Sequence, residues 1–213
     1  MRERPILMSG TMVRAILEGR KTQTRRVVKL PPAPMKLGQF EPTNVDGFNK
    51  AGKYFPPRPA LWHTRNGATV VCPYGIHGDR LWVRETWRSY GERGRGGEIE
   101  RFMYRAGINQ ATDGWKWKPG IHMPRRACRL VLEVTAVRVK RLQEISVDDA
   151  IAEGVVEWGT REAGRKVFDG RARGIPYLVN AYAELWNSLN AKRGFGWEKN
   201  PWVWCISFSK AAP

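Results

Sequence analysis

The run from Ala127 to Val139 constrains this chain most, because its side chains alternate strictly. Leu130, Leu132, Val134 and Ala136 fall on one side, Val131, Glu133, Thr135 and Val137 on the other. A strand sends successive side chains to opposite faces, so a period of two predicts a β-strand. Two shorter runs read the same way. Arg80-Leu81-Trp82-Val83-Arg84-Glu85 follows a Gly78-Asp79 turn signal, and Trp202 to Phe208 alternates near the end of the chain. Weaker strands are expected at Lys21 to Val28, Ala68 to Cys72 and Ile99 to Arg105.

Three helices are expected between them. Ser9 caps one over Gly10 to Glu18, with Gly19 as its stop. Ser146-Val147-Asp148-Asp149 opens a second, which runs through Glu153 and halts at Gly154. Pro176 starts a third, reaching about Asn190, with Leu178, Tyr182, Leu185, Trp186 and Leu189 along one side. The stretches at about 31–78, 88–120 and 157–175 are rich in Pro, Gly or polar residues and read as insertions; Arg88 to Gly97 reads as a Gly/Arg-rich loop. The expectation is one α+β domain over 1–213, a small closed barrel with helices at its ends.

Charge narrows the partners. Lys and Arg outnumber Asp and Glu by 37 to 20, a formal charge of +17. Such an excess draws polyanions, so RNA, a modified nucleoside or a nucleotide is the expected partner, with DNA also open. No run approaches the roughly 20 apolar residues that cross a bilayer, and no signal peptide opens the chain, so no membrane is expected. Cys72, Cys128 and Cys205 are odd in number and widely spaced, which points to a reducing, cytoplasmic setting. Cys72, His77 and His63 come without a CxxC or HExxH, so neither a metal nor any other cofactor is expected.

Several runs carry a family resemblance. Ile16-Leu17-Glu18-Gly19-Arg20-Lys21-Thr22-Gln23-Thr24-Arg25-Arg26 resembles the signature of ASCH domains, members of the PUA-like superfamily, and Leu142 to Gly154 is similar to their second helix. Gly78 to Trp87, Ile121 to Arg125 and Asn200 to Trp204 resemble a group of prophage-encoded ASCH proteins. The resemblance implies a PUA-like β-barrel that binds RNA or modified bases. One small bacterial branch hydrolyses N-4-acetylcytidine with a Lys, a Thr and a Glu, which fall here on Lys21, Thr24 and Glu153. That implies Thr24 as nucleophile, Lys21 as its base and Glu153 as acid. The chemistry is coherent, since a hydroxyl attacks only when a neighbour takes its proton, and Arg20, Arg25 and Arg26 would lower the pKa of a nearby lysine. Lys21 and Thr24 would point to opposite faces of an ideal strand, so the pair requires Lys21 on the turn after Gly19, or a bulge.

Other residues are candidates for holding a nucleic acid. Arg20, Arg25 and Arg26 offer guanidinium forks to phosphate, against the plainer reading of salt bridges to Glu18 or aspartates. Arg84 and Glu85 could form an ion pair beside the pocket and next to Trp87. Trp115 and Trp117 alternate with Lys116 and Lys118, an arrangement that can stack bases while lysines hold phosphates, or that simply packs an edge strand. His122, Arg125 and Arg126 extend the basic surface. Three rivals to an amidohydrolase follow: a non-catalytic base reader, a ribonuclease, and a phage interaction or assembly protein. Oligomeric state stays open.

Overall fold

In the computed structural model, residues 1–31, 38–48, 52, 54–94, 97–108, 114–155 and 175–211 are described. The fold is α+β. Its centre is a five-stranded sheet made of β1 (Glu3–Leu7), β2 (Gln23–Val27), β6 (Arg80–Arg84), β9 (Val131–Arg141) and β10 (Trp202–Lys210). Their spatial order is β1-β6-β9-β10-β2. β1 runs parallel to β6, and the other pairings are antiparallel.

β10 explains how the layers are held. Even-numbered Trp204, Ile206 and Phe208 enter one core with Leu81, Val83, Leu132 and Val134. Odd-numbered Val203 and Cys205 enter a second core beneath the helices, with Tyr182 and Trp186. A strand apolar on both faces belongs in the middle of a layered domain. Among the described residues, three α-helices complete the frame: α1 (Gly10–Leu17), α2 (Val147–Ala152) and α3 (Ile175–Asn190). Ser9 and Ser146 cap α1 and α2 through side-chain oxygens that accept from Met12 N and Asp149 N, as the sequence suggests.

Three expectations need correction. The sheet is not closed into a barrel, since β1 and β2 are its ends and no strand pairing joins them. The Arg26 side chain reaches across instead, its Nη2 donating to Leu7 O at 2.6 Å. The stretch 31–78, read as loop with one short strand, holds a three-stranded antiparallel sheet of β3 (Phe40–Phe48), β4 (Tyr54–His63) and β5 (Thr69–Val71). The prolines of β4 are tolerated because Pro56 and Pro57 fall at the register shift between Val45 and Gly47, where neither has a partner in β3, and β5 pairs only with Ala60–Trp62, beyond Pro59. Lastly, Arg88 to Gly94 and Gly97, read as part of a loop, belong to two paired antiparallel strands, β7 (Trp87–Gly94) and β8 (Gly97–Tyr104). The insertion expected at 157–175 lies outside the described residues, apart from Val155 before it and Ile175 at the head of α3.

β1 went unforeseen. Its five residues include Pro5 and show little alternation, but as an edge strand paired on one side only it can accommodate a proline. Among the described residues, no helix is long and apolar enough to cross a membrane.

Candidate functional site

The link from α1 to β2 places the first side chain. Gly19 takes φ 75°, and the backbone N–H groups of Arg20 and Lys21 both donate to Ala15 O, at 2.9 and 3.0 Å. The chain therefore doubles back, and Lys21 lies before β2. Thr22 N then donates to Ala152 O at 2.9 Å, tying this link to the end of α2.

The Lys21 side chain thereby reaches the C-terminus of α2. Its Nζ donates to Glu153 Oε2 at 2.7 Å and to Glu153 O at 2.9 Å. Burial pushes the lysine below its ordinary pKa, although Glu153 opposes that shift. Gly154 follows at φ 83°, and a Cβ there would lie 3.3 Å from Lys21 Cβ. Glycine is required at this point both for the backbone angle and for the close approach.

Asp149 on α2 and Glu153 at its C-cap stand four residues apart, so they share one face of the helix. Arg25 crosses to both: Nη2 lies 2.7 Å from Asp149 Oδ2 and Nη1 lies 3.4 Å from Glu153 Oε1. Arg138 joins Asp149 at 3.2 Å and Gln23 Oε1 at 2.8 Å. Pairing of Thr24 with Ile206 and of Arg25 with Cys205 puts these neighbours on opposite faces of the sheet edge. Arg25 therefore turns toward the helices, and Thr24 toward the sheet core.

Both residues border a cavity of about 500 Å³, a volume within the usual range for small-ligand sites. It lies between the unpaired ends of the main sheet. Leu7 and Met8 contribute from one end, Thr24, Arg25 and Arg26 from the other. Glu153 faces it from α2, Tyr182 and Trp186 from α3, and Pro119 to Ile121 from the segment after the hairpin. Lys21 is not on the wall and stands behind Glu153. Burial and the charge of Glu153 hold the Tyr182 hydroxyl well above its ordinary pKa, so it stays a neutral hydrogen-bonding group.

The remaining candidates lie elsewhere. Arg20 is paired with Glu18 through Nε at 2.9 Å, the salt bridge already weighed as its plainer role. Glu85 does not pair with Arg84. It is buried and takes a two-pronged contact from Arg129, at 2.9 Å on each oxygen, while Arg84 donates to Ile121 O and lies over the Trp82 ring. Trp87 is buried in a small core with Met123 and Ala127, capped by Lys118 Nζ 4.9 Å from its ring centre. Trp115 is exposed and stacked by Arg88, with the Trp117 ring centre 5.9 Å away; neither tryptophan is in a strand. His122 is exposed, Arg125 pairs with Glu3, and Arg126 pairs with Glu100.

Asp149, Arg138, Tyr182 and Arg193 belong to the site without having been singled out as site residues in the sequence. The four-residue spacing of Asp149 and Glu153 was the available signal for one of them. The other three are brought in by packing alone. Among the described residues, no group of three or more His, Cys, Asp or Glu side chains is placed to hold a metal ion.

In comparisons with family models, with curated proteins and with solved structures, nothing matches this chain.

Proposed function

We propose that this chain is an ASCH-type member of the PUA-like superfamily, and that its cavity receives a cytosine base carrying an N-4 acyl group and hydrolyses that amide. The observation that carries this reading is the Glu153 carboxylate, 5% exposed, gripped by Lys21 and Arg25 and bordering the same cavity as the buried Thr24 hydroxyl. A carboxylate so held keeps one geometry, which is what a proton-transfer group needs. The resemblance in Lys21, Thr24 and Glu153 supplies the substrate class.

In the reaction proposed, Thr24 Oγ1 attacks the acyl carbonyl carbon as Glu153 takes its proton. The carbon–nitrogen bond then breaks, and Glu153 returns the proton to the departing cytosine N4. Water hydrolyses the resulting Thr24 ester, releasing the carboxylic acid and restoring the hydroxyl. Lys21, behind Glu153, steadies the carboxylate, so it is a positioning residue here and not the group that meets substrate. Tyr182 and Trp186 give the base an aromatic wall.

A second reading, a non-catalytic base reader, is favoured by the burial of Lys21 away from the cavity wall, because an ion pair of that kind also serves architecture alone. One experiment separates the two. Purified protein is incubated with N-4-acetylcytidine, free and within a short RNA, and the products are resolved by chromatography. Cytidine and acetate, formed by the parent protein but not by Glu153→Gln or Thr24→Val, support the hydrolase. Unchanged substrate with folded protein leaves the reader, and shortened strands favour a nuclease.

A further inference from the structure

Pairing off the charges around the cavity leaves two cations over. Lys21 is matched by Glu153, and Arg25 by Asp149. Arg26 and Arg193 also line the cavity, and neither meets a carboxylate among the described residues. Arg26 gives Nη2 to the Leu7 carbonyl at 2.6 Å and to the Met8 sulfur at 3.2 Å, while its Nε is buried without a partner. Arg193 is exposed and reaches Asn190 Oδ1 at 3.4 Å. Burial lowers the pKa of Arg26; the charge of Glu153 opposes that shift, and the charge of Arg193, a lesser influence, adds to it.

Two like charges on one small cavity raise its energy unless an anion comes between them. Guanidinium forks match the oxygens of a phosphate, and two forks can balance a doubly charged phosphate monoester. A bare nucleoside would leave Arg193 to solvent and Arg26 with no direct carboxylate partner, only the more distant charge of Glu153.

We infer that Arg26 and Arg193 form a phosphate subsite of the cavity, so that its ligand is a nucleotide and not a nucleoside. This rests on the proposed reading of the cavity as a site for a cytosine base. The phosphate can belong to a free 5′-nucleotide or to the backbone of a strand, and the chemistry of recognition is the same.

Calorimetric titration at low salt tests the subsite with cytidine, cytidine 5′-monophosphate, inorganic phosphate and a short single-stranded RNA. The monophosphate should bind the parent protein about tenfold more tightly than cytidine, the worth of one good charge-assisted contact. Inorganic phosphate should compete with the monophosphate and not with cytidine. In Arg193→Ala the ratio between nucleotide and nucleoside should collapse toward one, and Arg26→Gln, which keeps a donor for the Leu7 carbonyl, should do the same. Thermal unfolding establishes that each variant is folded. Lys192→Ala, exposed beside Arg193 but off the cavity wall, should keep the ratio; an equal fall there would reduce the effect to general charge and overturn the subsite.

Equal binding of cytidine and its monophosphate by the parent protein would also overturn it, while leaving the nucleoside reading intact. A strong preference for the monophosphate without hydrolysis of any acylated cytidine would uphold the subsite and sink the hydrolase. Binding of none of the probes would sink both. Tighter binding of RNA than of monophosphate assigns the phosphate to a strand, and the reverse assigns it to a free nucleotide.

Discussion

Lys21 Nζ donates to Glu153 Oε2 at 2.7 Å, with the lysine side chain fully enclosed and that of the glutamate 4% exposed. Removing one member of such a pair strands the other charge out of water. Glu153→Gln or Lys21→Met should each cost about 3–5 kcal/mol of stability. The double change Lys21→Met with Glu153→Leu should recover much of that loss, because two apolar side chains need no counter-charge. A urea-denaturation cycle measures the coupling. Additive single losses would mean that the pair contributes nothing as a pair.

Asp149 gives the site an acid limit. Burial by itself would raise its pKa, but the charge and hydrogen bond of Arg25 outweigh burial, and the carboxyl sits below its ordinary 3.8. A depressed folded pKa contributes stability that is complete above about pH 3.8 and is lost as pH falls through the lower, folded value. Asp149→Asn should therefore be less stable than the parent at pH 7, and the gap should narrow below pH 4. Denaturation at a series of pH values checks this. A gap of constant size down to pH 2 would detach Arg25 from the ionisation of Asp149.

The sequence carries the main frame and loses the site's walls, for a physical reason. Strands β6, β9 and β10 and the three described helices announce themselves by period, cap and stop, because those signals are local. Thr24 and Glu153 were within reach through the family resemblance. Lys21 lies on the turn after Gly19, outside the strand, yet it stands behind Glu153 and off the cavity wall that Thr24 borders. Arg193, Tyr182 and Arg138 come from segments remote in the chain and converge only when α3 and β9 pack. β3 and β4 were hidden by prolines whose missing N–H groups matter only if a neighbour strand needs them. Closure of the sheet depends on whether β1 and β2 meet, and nothing local in either strand encodes that.

Two glycines separate backbone strain from crowding. Gly19 and Gly154 both have positive φ, 75° and 83°. A Cβ at Gly19 meets nothing within 4 Å, whereas one at Gly154 lies 3.3 Å from both Ala15 Cβ and Lys21 Cβ. Gly19→Ala should cost about 1–2 kcal/mol, the penalty for a side chain in the left-handed region. Gly154→Ala should cost more, and should also lower turnover by moving Lys21 against Glu153. Urea unfolding and the deacylation assay read the two effects. Equal costs, with unchanged turnover in both, would show that the Lys21 stem gives way freely.

The cysteines set an alkaline limit and test the layered core. Burial pushes Cys72 and Cys205 up to about 11, and it also raises the partly buried Cys128. The thiolate is the reactive form, so Cys72 and Cys205 should resist a thiol reagent at pH 8 in the native protein, and Cys128 should react first. All three should react on unfolding, since none is in a disulfide. The same shifts bear on stability. A thiol whose folded pKa lies above its unfolded value of about 9 keeps its proton after the unfolded chain has lost it. Its stabilising contribution is full below pH 9 and disappears as pH rises toward 11. Cys205→Ala should flatten that alkaline decline, at the cost of a small cavity between β10 and the helices. A decline as steep as in the parent would place the alkaline sensitivity elsewhere in the molecule.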